Sequence, residues 1–233
     1  NNEIYTLNEE FQASNLILTT GADTTLIGEQ YFNIRAVWGQ RIIVETSSCI
    51  DINYHKECSI STSTPTDNND KNRLSIGATH HRFNCDHSVC VQCLKEPNLN
   101  TLKRLTKDEN SIYSDTQILL ERANDIRKLE DIEIKEIKIG ARASSVDYFP
   151  MVGPLIDSQK TLEEFPHIKK GTPVQNHRLT AHKNLYVING LGGRGFVLAP
   201  YLASLLVDFL LHNKELPEQI TTPRLFKRWA KKL

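Results

Sequence analysis

Four glycines stand close together between an apolar strand and an apolar helix, in the segment Asn189–Gly195 (NGLGGRG). Glycine lacks a Cβ atom, so the chain can turn sharply there and a ligand can approach the backbone closely. The free N–H groups at the start of the following helix attract negative charge. The spacing is not G-x-G-x-x-G within a long βαβ unit, and glycine-rich turns also serve packing alone. The sequence therefore leaves two roles open for this segment: ligand binding and packing.

A second group of residues has metal-ligand chemistry: His80, His81, Cys85, His87, Cys90 and Cys93 fall within fourteen residues. The Cys90-x-x-Cys93 spacing is one that zinc sites use, and Cys85 with His81 would complete four ligands. A single C-x-x-C pair lacks the second pair that makes such patterns specific. Free thiols are the alternative to a structural zinc. A redox disulfide is disfavoured because the βαβ context of such motifs is missing.

The bulk composition excludes classes that depend on a strong overall charge. Lys+Arg and Asp+Glu both number 28, so no net charge favours nucleic acid or a membrane surface. Five cysteines, an odd number in a long chain, predict a reducing, cytoplasmic setting. The basic residues of the last ten predict a solvated end, with a nucleic-acid contact as the alternative; they are Arg224, Lys227, Arg228, Lys231 and Lys232.

The longest apolar run, Phe196 to Leu211, is short for a bilayer-spanning helix and is interrupted by Pro200 and Asp208. The sequence begins without a signal-peptide pattern. We therefore expect no membrane partner. The sequence does not determine the oligomeric state.

Periodicity predicts the strands that hold these residues. Alternation predicts strands at Ile34–Glu45 and Leu74–Ala78, paired in an antiparallel sheet, and at Ile132–Ile139 with one wet face. Ile4–Leu7 and Asn15–Thr20 are predicted to form a hairpin that ends in a strand buried on both faces. A further buried strand is predicted directly before the glycines, at Asn184–Asn189.

Helical spacing of apolar residues predicts a helix at Asp115–Leu129 and a stronger one at Phe196–Leu211. Thr222 as N-cap and Pro223 at the first position predict a short terminal helix. Polar residues at 61–72 and 156–183 predict surface loops.

Two longer segments carry a specific resemblance to a known family: Gly140–Gly153 (GARASSVDYFPMVG) and Gly190–Pro200 (GLGGRGFVLAP). Together they resemble the C-terminal half of the D-amino-acid oxidase-like family, which includes glycine oxidase and sarcosine oxidase. Leu18–Ala22 is similar to that family's strand that re-enters the flavin domain. Trp38-Gly39-Gln40 is similar to its Arg-Gly-Gln turn, with Trp in place of Arg.

Within that family, the chain most resembles the oxidoreductase half of the bacterial bifunctional proteins of tRNA 5-methylaminomethyl-2-thiouridine biosynthesis. The points of likeness are Gly77-Ala78-Thr79, Asn98-Leu99 with Leu102 and Leu105, Asp147–Gly153 and Pro223–Arg228. Family members begin with a strand and a G-x-G-x-x-G motif that hold the ADP part of FAD, and this sequence lacks that motif. Since it begins with Asn1 rather than Met, we expect a piece of a longer protein, which would lose most FAD affinity. A degenerate relative is the alternative.

The resemblance implies an α/β (α+β) fold. It consists of the C-terminal part of an FAD/NAD(P)-binding Rossmann-like domain and an antiparallel-sheet substrate domain of the D-amino-acid oxidase type. We expect residues 1–27 and 181–233 in the FAD-binding domain and residues 28–180 in the substrate domain, with the active site between them.

The resemblance also implies roles for individual residues. Arg142 is the candidate for binding the substrate carboxylate, because a guanidinium fork binds a carboxylate bidentately and stays charged when partly buried. The alternative is a surface arginine paired with Asp147. We expect Asp147 at the substrate site, where it orients a loop or Arg142 rather than acting as a base. The expected FAD contacts are Thr20, Gly21, Ala22, Gly192, Gly193, Arg194, Gly195, Phe196 and Val197.

The activity implied by the resemblance is FAD-dependent oxidation of the carboxymethylaminomethyl group on the wobble uridine of tRNA, which leaves an aminomethyl group. One alternative is oxidation of a small amino acid such as glycine or sarcosine, which needs a closed pocket rather than an open, positively charged mouth. Another is a zinc-stabilised interaction module without redox activity.

Overall fold

The computed structural model describes residues 5–7, 11–24, 26–67, 70–81 and 109–233. The chain forms two compact units: unit 1 comprises residues 1–36 and 142–233, and unit 2 comprises residues 37–141. Residues 28–36 and 142–180, which we predicted in the substrate domain, cluster with unit 1. The division into an FAD-binding and a substrate domain stays a prediction.

The elements in the described part of the chain are eleven strands, two to thirteen residues long, and four α-helices. The strands are β1 Tyr5–Leu7, β2 Phe11–Ala13, β3 Leu16–Leu18, β4 Ile34–Thr46, β5 Tyr54–His55, β6 Ser59–Ile60, β7 Thr64–Pro65, β8 Asn72–Gly77, β9 Glu133–Ser145, β10 Met151–Ile156 and β11 Ala181–Asn189. The helices are α1 Glu109–Ile126, α2 Ser158–Glu164, α3 Gly195–His212 and α4 Pro223–Ala230. Short 3-10 turns lie at Pro166–Lys170, Asn176–Arg178, Gly192–Arg194 and Glu218–Ile220.

The main sheet of unit 1 has the strand order β10-β11-β3, with β10 antiparallel and β3 parallel to β11. Strand β11 confirms the predicted strand before the glycines. The predicted hairpin was wrong, because β1 pairs with β2 while β3 pairs with Leu185–Val187 of β11. Strand β3 is not buried on both faces as predicted, since Ile17 is 40% exposed.

The polar segment 156–183 holds more structure than the predicted loop. Asp157 caps helix α2, because its carboxylate accepts a hydrogen bond of 3.0 Å from the Lys160 backbone N–H. Ile168, Val174 and Leu179 from this stretch are buried in the core of unit 1. Isolated apolar residues without a period carry no local signal, which is why the sequence pattern missed them.

Unit 2 is built on a sheet with the order β5-β6-β8-β4-β9, and β7 pairs with β8. The antiparallel pairing of β4 with β8 confirms the predicted pair. Helix α1 packs Leu119 and Ala123 into the same core as the sheet residues Ile42, Val44, Leu74 and Ile76. Strand β9 was predicted with one wet face, but residues 133–138 are all exposed.

Helix α3 confirms the predicted helix after the glycines. In the described part of the chain, the helical stretch Gly192–His212 is long and apolar enough to cross a membrane by length and composition, so our expectation on its length was wrong. Helices in the cores of soluble proteins can be equally long and apolar, but other elements of the fold then cover them. Several large apolar side chains of this helix are exposed here: Phe196, Val197, Tyr201, Val207 and Leu211.

Helix α4 begins at Pro223 as predicted, but Thr222 does not cap it with its side chain. The Thr222 hydroxyl donates to the Pro154 carbonyl instead, and so ties the helix to β10. Lys227 donates to Asn176 Oδ1 at 2.6 Å. The basic end of the chain is therefore not entirely solvated.

Candidate functional site

Asn189, the last residue of β11, joins the glycine turn to the loop that follows β3. Its Nδ2 donates to the Gly21 carbonyl at 2.9 Å, and Thr20 Oγ1 lies 3.5 Å from the same atom. Its Oδ1 accepts the Gly190 backbone N–H at 2.7 Å. Asn189 is only 2% exposed, so these hydrogen bonds are shielded from water. Asn189 thus joins the loop with Thr20 and Gly21 to the start of the glycine turn, which leads into residues 192–197; both segments were predicted to contact FAD.

The glycine turn packs against the end of strand β9. Gly190 has φ +75°, and a Cβ atom built on it would lie 3.2 Å from Ser145 Cβ. Leu191 forms an isolated antiparallel bridge with Ser144, and a Cβ on Gly192 would lie 3.7 Å from Ser144 Oγ. Backbone conformation or packing therefore explains why glycine occupies positions 190 and 192, which the sequence pattern had left open.

Arg142 lies opposite Gly193. The nearest heavy atom to a Cβ built on Gly193 would be Arg142 Cδ, at 3.8 Å. Arg142 is half-buried, and this burial lowers the pKa of its guanidinium from the ordinary range. Arginine nevertheless stays protonated in proteins at neutral pH. A desolvated cation at this place suits a carboxylate ligand, because the attraction is weakened less by water.

Asp147 is held by Arg224, a partner that sequence reasoning did not identify. Arg224 Nε lies 2.8 Å from Asp147 Oδ2, and Nη2 lies 3.0 Å from Oδ1. The same carboxylate accepts hydrogen bonds from Ser145 Oγ and the Phe149 backbone N–H. These contacts support the orienting role expected for Asp147, and its place at the substrate site stays a prediction. The 77 residues between Asp147 and Arg224 explain why local spacing gave no signal.

The Arg224–Asp147 pair makes the stability of the protein depend on pH. Burial by itself would raise the pKa of Asp147, but hydrogen bonds and charge from Arg224, with the donors of Ser145 and Phe149, lower it below the usual value. A lowered folded-state pKa contributes stability above the unfolded-state pKa of about 3.9, and this stability is lost as pH falls through the folded-state pKa.

We therefore expect Asp147→Asn to lower the free energy of unfolding at neutral pH. Urea denaturation should show that the gap to the wild type begins to close below about pH 4, where the unfolded wild-type chain takes up a proton, and is closed below the lowered folded-state pKa. Asp208→Asn is the control, since its ion pair with Lys214 is more exposed and should matter less. A gap of equal size at acid and neutral pH would contradict this account.

The first turn of α3 has the properties of an anion-binding helix start. Arg194 at the N-cap makes no capping side-chain hydrogen bond, and the first turn carries no acidic residue. The first N–H groups of a helical stretch have no intrahelical acceptor and can serve a ligand, and here the stretch begins with the 3-10 turn Gly192–Arg194 that runs into α3. Gly195 begins this turn, and Phe196 and Val197 are 98% and 77% exposed. Gly21 has φ +64°, and a Cβ atom built on it would have no neighbour within 4 Å. The segments are thus open to the approach of a cofactor, and the residues present fit its flavin side.

Most of the Cys/His cluster lies outside the described residues, so the zinc prediction stays a prediction. His81 is described, and its Nε2 lies 2.7 Å from Asp115 Oδ2. Among the described residues, a different group has metal-ligand atoms within 4.8 Å of one another: Glu29, Asp157 and His182. Its carboxylates already have partners, with His182 Nε2 at 2.6 Å from Glu29 and Lys160 Nζ at 3.1 Å from Asp157.

The site combines four features: strand β11, the glycine turn, the exposed start of α3, and Arg142 opposite Gly193. This combination is typical of the class of proteins that hold an extended anionic cofactor against the backbone. The chain belongs to the family described as FAD dependent oxidoreductase, whose sequence profile matches residues 1–209. This match confirms the resemblance inferred from Gly140–Gly153 and Gly190–Pro200.

Individual relatives agree with this family. A tRNA 5-methylaminomethyl-2-thiouridine biosynthesis bifunctional protein of Pseudoalteromonas atlantica is 27% identical over 128 residues, 54% of this chain and 17% of that protein. The protein of the same name from Shewanella pealeana is 36% identical over 86 residues, 34% of this chain and 13% of that protein. Glycine oxidase from Bacillus cereus shares the fold with a TM-score of 0.50 and 18% identity, over 88% of this chain and 44% of that chain. The chain thus spans less than half the length of these relatives.

Proposed function

We propose that this chain is the flavin-facing part of an FAD-dependent amine oxidoreductase that acts on the carboxymethylaminomethyl group of wobble uridine in tRNA. The observation that carries the proposal is the convergence of three separate segments within unit 1. Hydrogen bonds of Asn189 join Gly21 to the start of the glycine turn, and Arg142 lies opposite Gly193 of the same turn.

The reaction separates a carboxylated carbon from an amine nitrogen. When bound, FAD would supply the two-electron acceptor for oxidation of the C–H bond next to the nitrogen. Oxidation converts the C–N single bond of the substrate to C=N, and water then releases glyoxylate and leaves the aminomethyl group. This chain needs no strong base for that sequence when the amine arrives uncharged.

The chain's own residues would bind and orient both ligands. Arg142 would hold the carboxylate with its fork, which fixes the direction of the C–H bond. The N–H groups of residues 195–197 would face the pyrimidine edge of the flavin, where they stabilise negative charge that develops on reduction. Gly21 would allow the ribityl or phosphate portion to approach the backbone closely.

The relatives that bear the tRNA name support the tRNA substrate. The exposed basic residues of the C-terminal end, Arg228, Lys231 and Lys232, are compatible with a phosphate backbone. A small amino acid such as glycine or sarcosine would use the same Arg142 contact. An experiment therefore has to distinguish the tRNA substrate from a small amino acid.

The test is the absorption spectrum of the purified full-length protein with FAD, followed by anaerobic addition of substrates. We expect visible flavin bands that bleach with tRNA carrying carboxymethylaminomethyluridine and bleach far less with glycine or sarcosine. Release of glyoxylate, trapped as a hydrazone, should match the bleached flavin. The same tRNA with an unmodified wobble uridine is the control.

Each other outcome contradicts a defined part of the proposal. Bleaching by glycine or sarcosine alone would replace tRNA with a small amino acid as the substrate. A full-length protein that holds no flavin under any condition would overturn the oxidoreductase assignment. If zinc were then found by elemental analysis, the interaction-module alternative would be favoured.

A further inference from the structure

Arg224, near the start of α4, donates hydrogen bonds to two separate segments. Besides its two bonds to Asp147, Nη2 donates to the Phe149 carbonyl at 2.8 Å and Nη1 to the Thr221 carbonyl at 2.8 Å. Only 17% of the Arg224 side chain and 21% of the Asp147 side chain are exposed. A planar guanidinium presents its donors as a rigid fork, whereas a lysine ammonium is a single point charge. The contact therefore specifies arginine rather than any cation.

The turn that Arg224 holds also meets the glycine turn. Tyr148 has φ +64°, a left-handed conformation that a bulky residue adopts rarely. Arg194, from the glycine turn, donates from Nη2 to the Tyr148 carbonyl at 3.1 Å. Ser145 Oγ lies 2.6 Å from the Phe149 carbonyl oxygen and 2.9 Å from Asp147 Oδ1, so its one proton is shared between two acceptors of the turn. Such strained conformations persist where the surrounding contacts hold them in place.

We propose that Arg224 is a positioning residue for the flavin site. Through Asp147 and the Phe149 carbonyl it holds residues 145–149 in the conformation that presents the Tyr148 carbonyl to Arg194. Arg194 in turn fixes the glycine turn from which α3 starts. Arg224 acts through this turn. Arg224 lies outside residues 1–209, so the family match does not supply it. The inference rests on the proposed function, because it needs a flavin at the glycine turn.

The variants that test this role are Arg224→Met, Arg224→Lys and Asp147→Asn, with Lys227→Met as the control on the same helix. In the flavin-free protein, hydrogen–deuterium exchange of residues 145–149 should become faster in Arg224→Met. In the flavin-loaded protein, the FAD dissociation constant should rise on the order of 10-fold to 100-fold, and the visible circular dichroism of the flavin should change. Lys227→Met loses a contact of α4 to Asn176, so it should lower stability without changing either flavin readout.

Two further comparisons separate positioning from a general loss of structure. Arg224→Lys keeps the charge and should restore part of the FAD affinity lost in Arg224→Met. Because both residues act on the same turn, the effects of Arg224→Met and Asp147→Asn on FAD affinity should not add in the double variant.

The outcomes distinguish this inference from the proposed function. If the wild type holds no flavin, the proposed function and this inference both fail. If the wild type holds flavin while Arg224→Met leaves the exchange of 145–149 and the flavin readouts unchanged, only the inference fails. Equal effects of Arg224→Met and Lys227→Met on the flavin would also overturn it, since a merely structural role of α4 would then suffice.

Discussion

Arg142→Ala should lower kcat/KM for a carboxylated amine by about 10²–10³-fold while flavin binding and the fold stay intact. Truncating one partner of a partly buried, hydrogen-bonded charge pair costs on the order of 2–5 kcal/mol, because the other charge loses its partner. Arg142 is half-buried opposite Gly193, so a substrate carboxylate there would be shielded from water. The loss should therefore be far larger than for an exposed ion pair.

The measurement is anaerobic flavin reduction with a carboxylated substrate and with the same amine lacking the carboxylate. The kcat/KM of Arg142→Lys for the carboxylated substrate should lie between the values of Arg142→Ala and the wild type, because lysine keeps the charge but lacks the planar fork of donors. Arg178→Ala is the control, since Arg178 is an exposed arginine whose guanidinium lies over the Phe165 ring. Unchanged kcat/KM for the carboxylated substrate in Arg142→Ala would show that the carboxylate binds elsewhere.

Gly190→Ala should lower the free energy of unfolding by about 2–5 kcal/mol and weaken FAD binding as well. Part of this cost is the left-handed backbone at φ +75°, about 1–2 kcal/mol for a residue with a Cβ atom. The rest is steric, about 1–3 kcal/mol for an overpacked position. The new methyl group would lie 3.2 Å from Ser145 Cβ and 3.4 Å from Met151 Cε. To relieve this contact, the turn must move away from β9 and β10, which shifts the start of α3.

Two other glycines separate the causes. Gly171 also has a positive φ, +82°, but its Cβ would meet nothing within 4 Å, so Gly171→Ala should cost only the backbone part, about 1–2 kcal/mol. Gly28 has neither a positive φ nor a close neighbour, so Gly28→Ala should be nearly neutral. Urea denaturation of the three variants measures the series. Equal losses at Gly190 and Gly171 would show that packing against Ser145 contributes nothing.

The local elements of this protein were predicted where the signal is local. Strand β4, strand β8, the segment from β11 through the glycines into α3, and helix α4 all follow from periodicity and terminal residues. The resemblance carried by Gly140–Gly153 and Gly190–Pro200 indicated the family, which the match over residues 1–209 confirmed. Each of these features depends on a few consecutive residues, so its prediction needed no knowledge of distant contacts.

The predictions failed where a residue's surroundings come from far along the chain. Strand β3 was paired with its neighbour in sequence, but it lies parallel to β11. A parallel strand needs a partner beyond a long connection, and hydrophobic pattern alone does not name that partner. The apolar residues within 156–183 were assigned to a loop for the same reason, since burial there depends on α4 and the 3-10 turns around it.

By itself, the sequence determined the strand–glycine–helix segment, the identity of Arg142 as a candidate and the family, because residue type and spacing are local properties. The tertiary structure alone decided which segments meet at that turn. Asn189 reaches Gly21 across 168 positions, and Arg224 reaches Asp147 across 77. Both contacts are hydrogen bonds of polar side chains, which satisfy whatever donor or acceptor the packed chain brings within reach. Their partners are therefore set by the packing of strands and helices and by no pattern in the sequence.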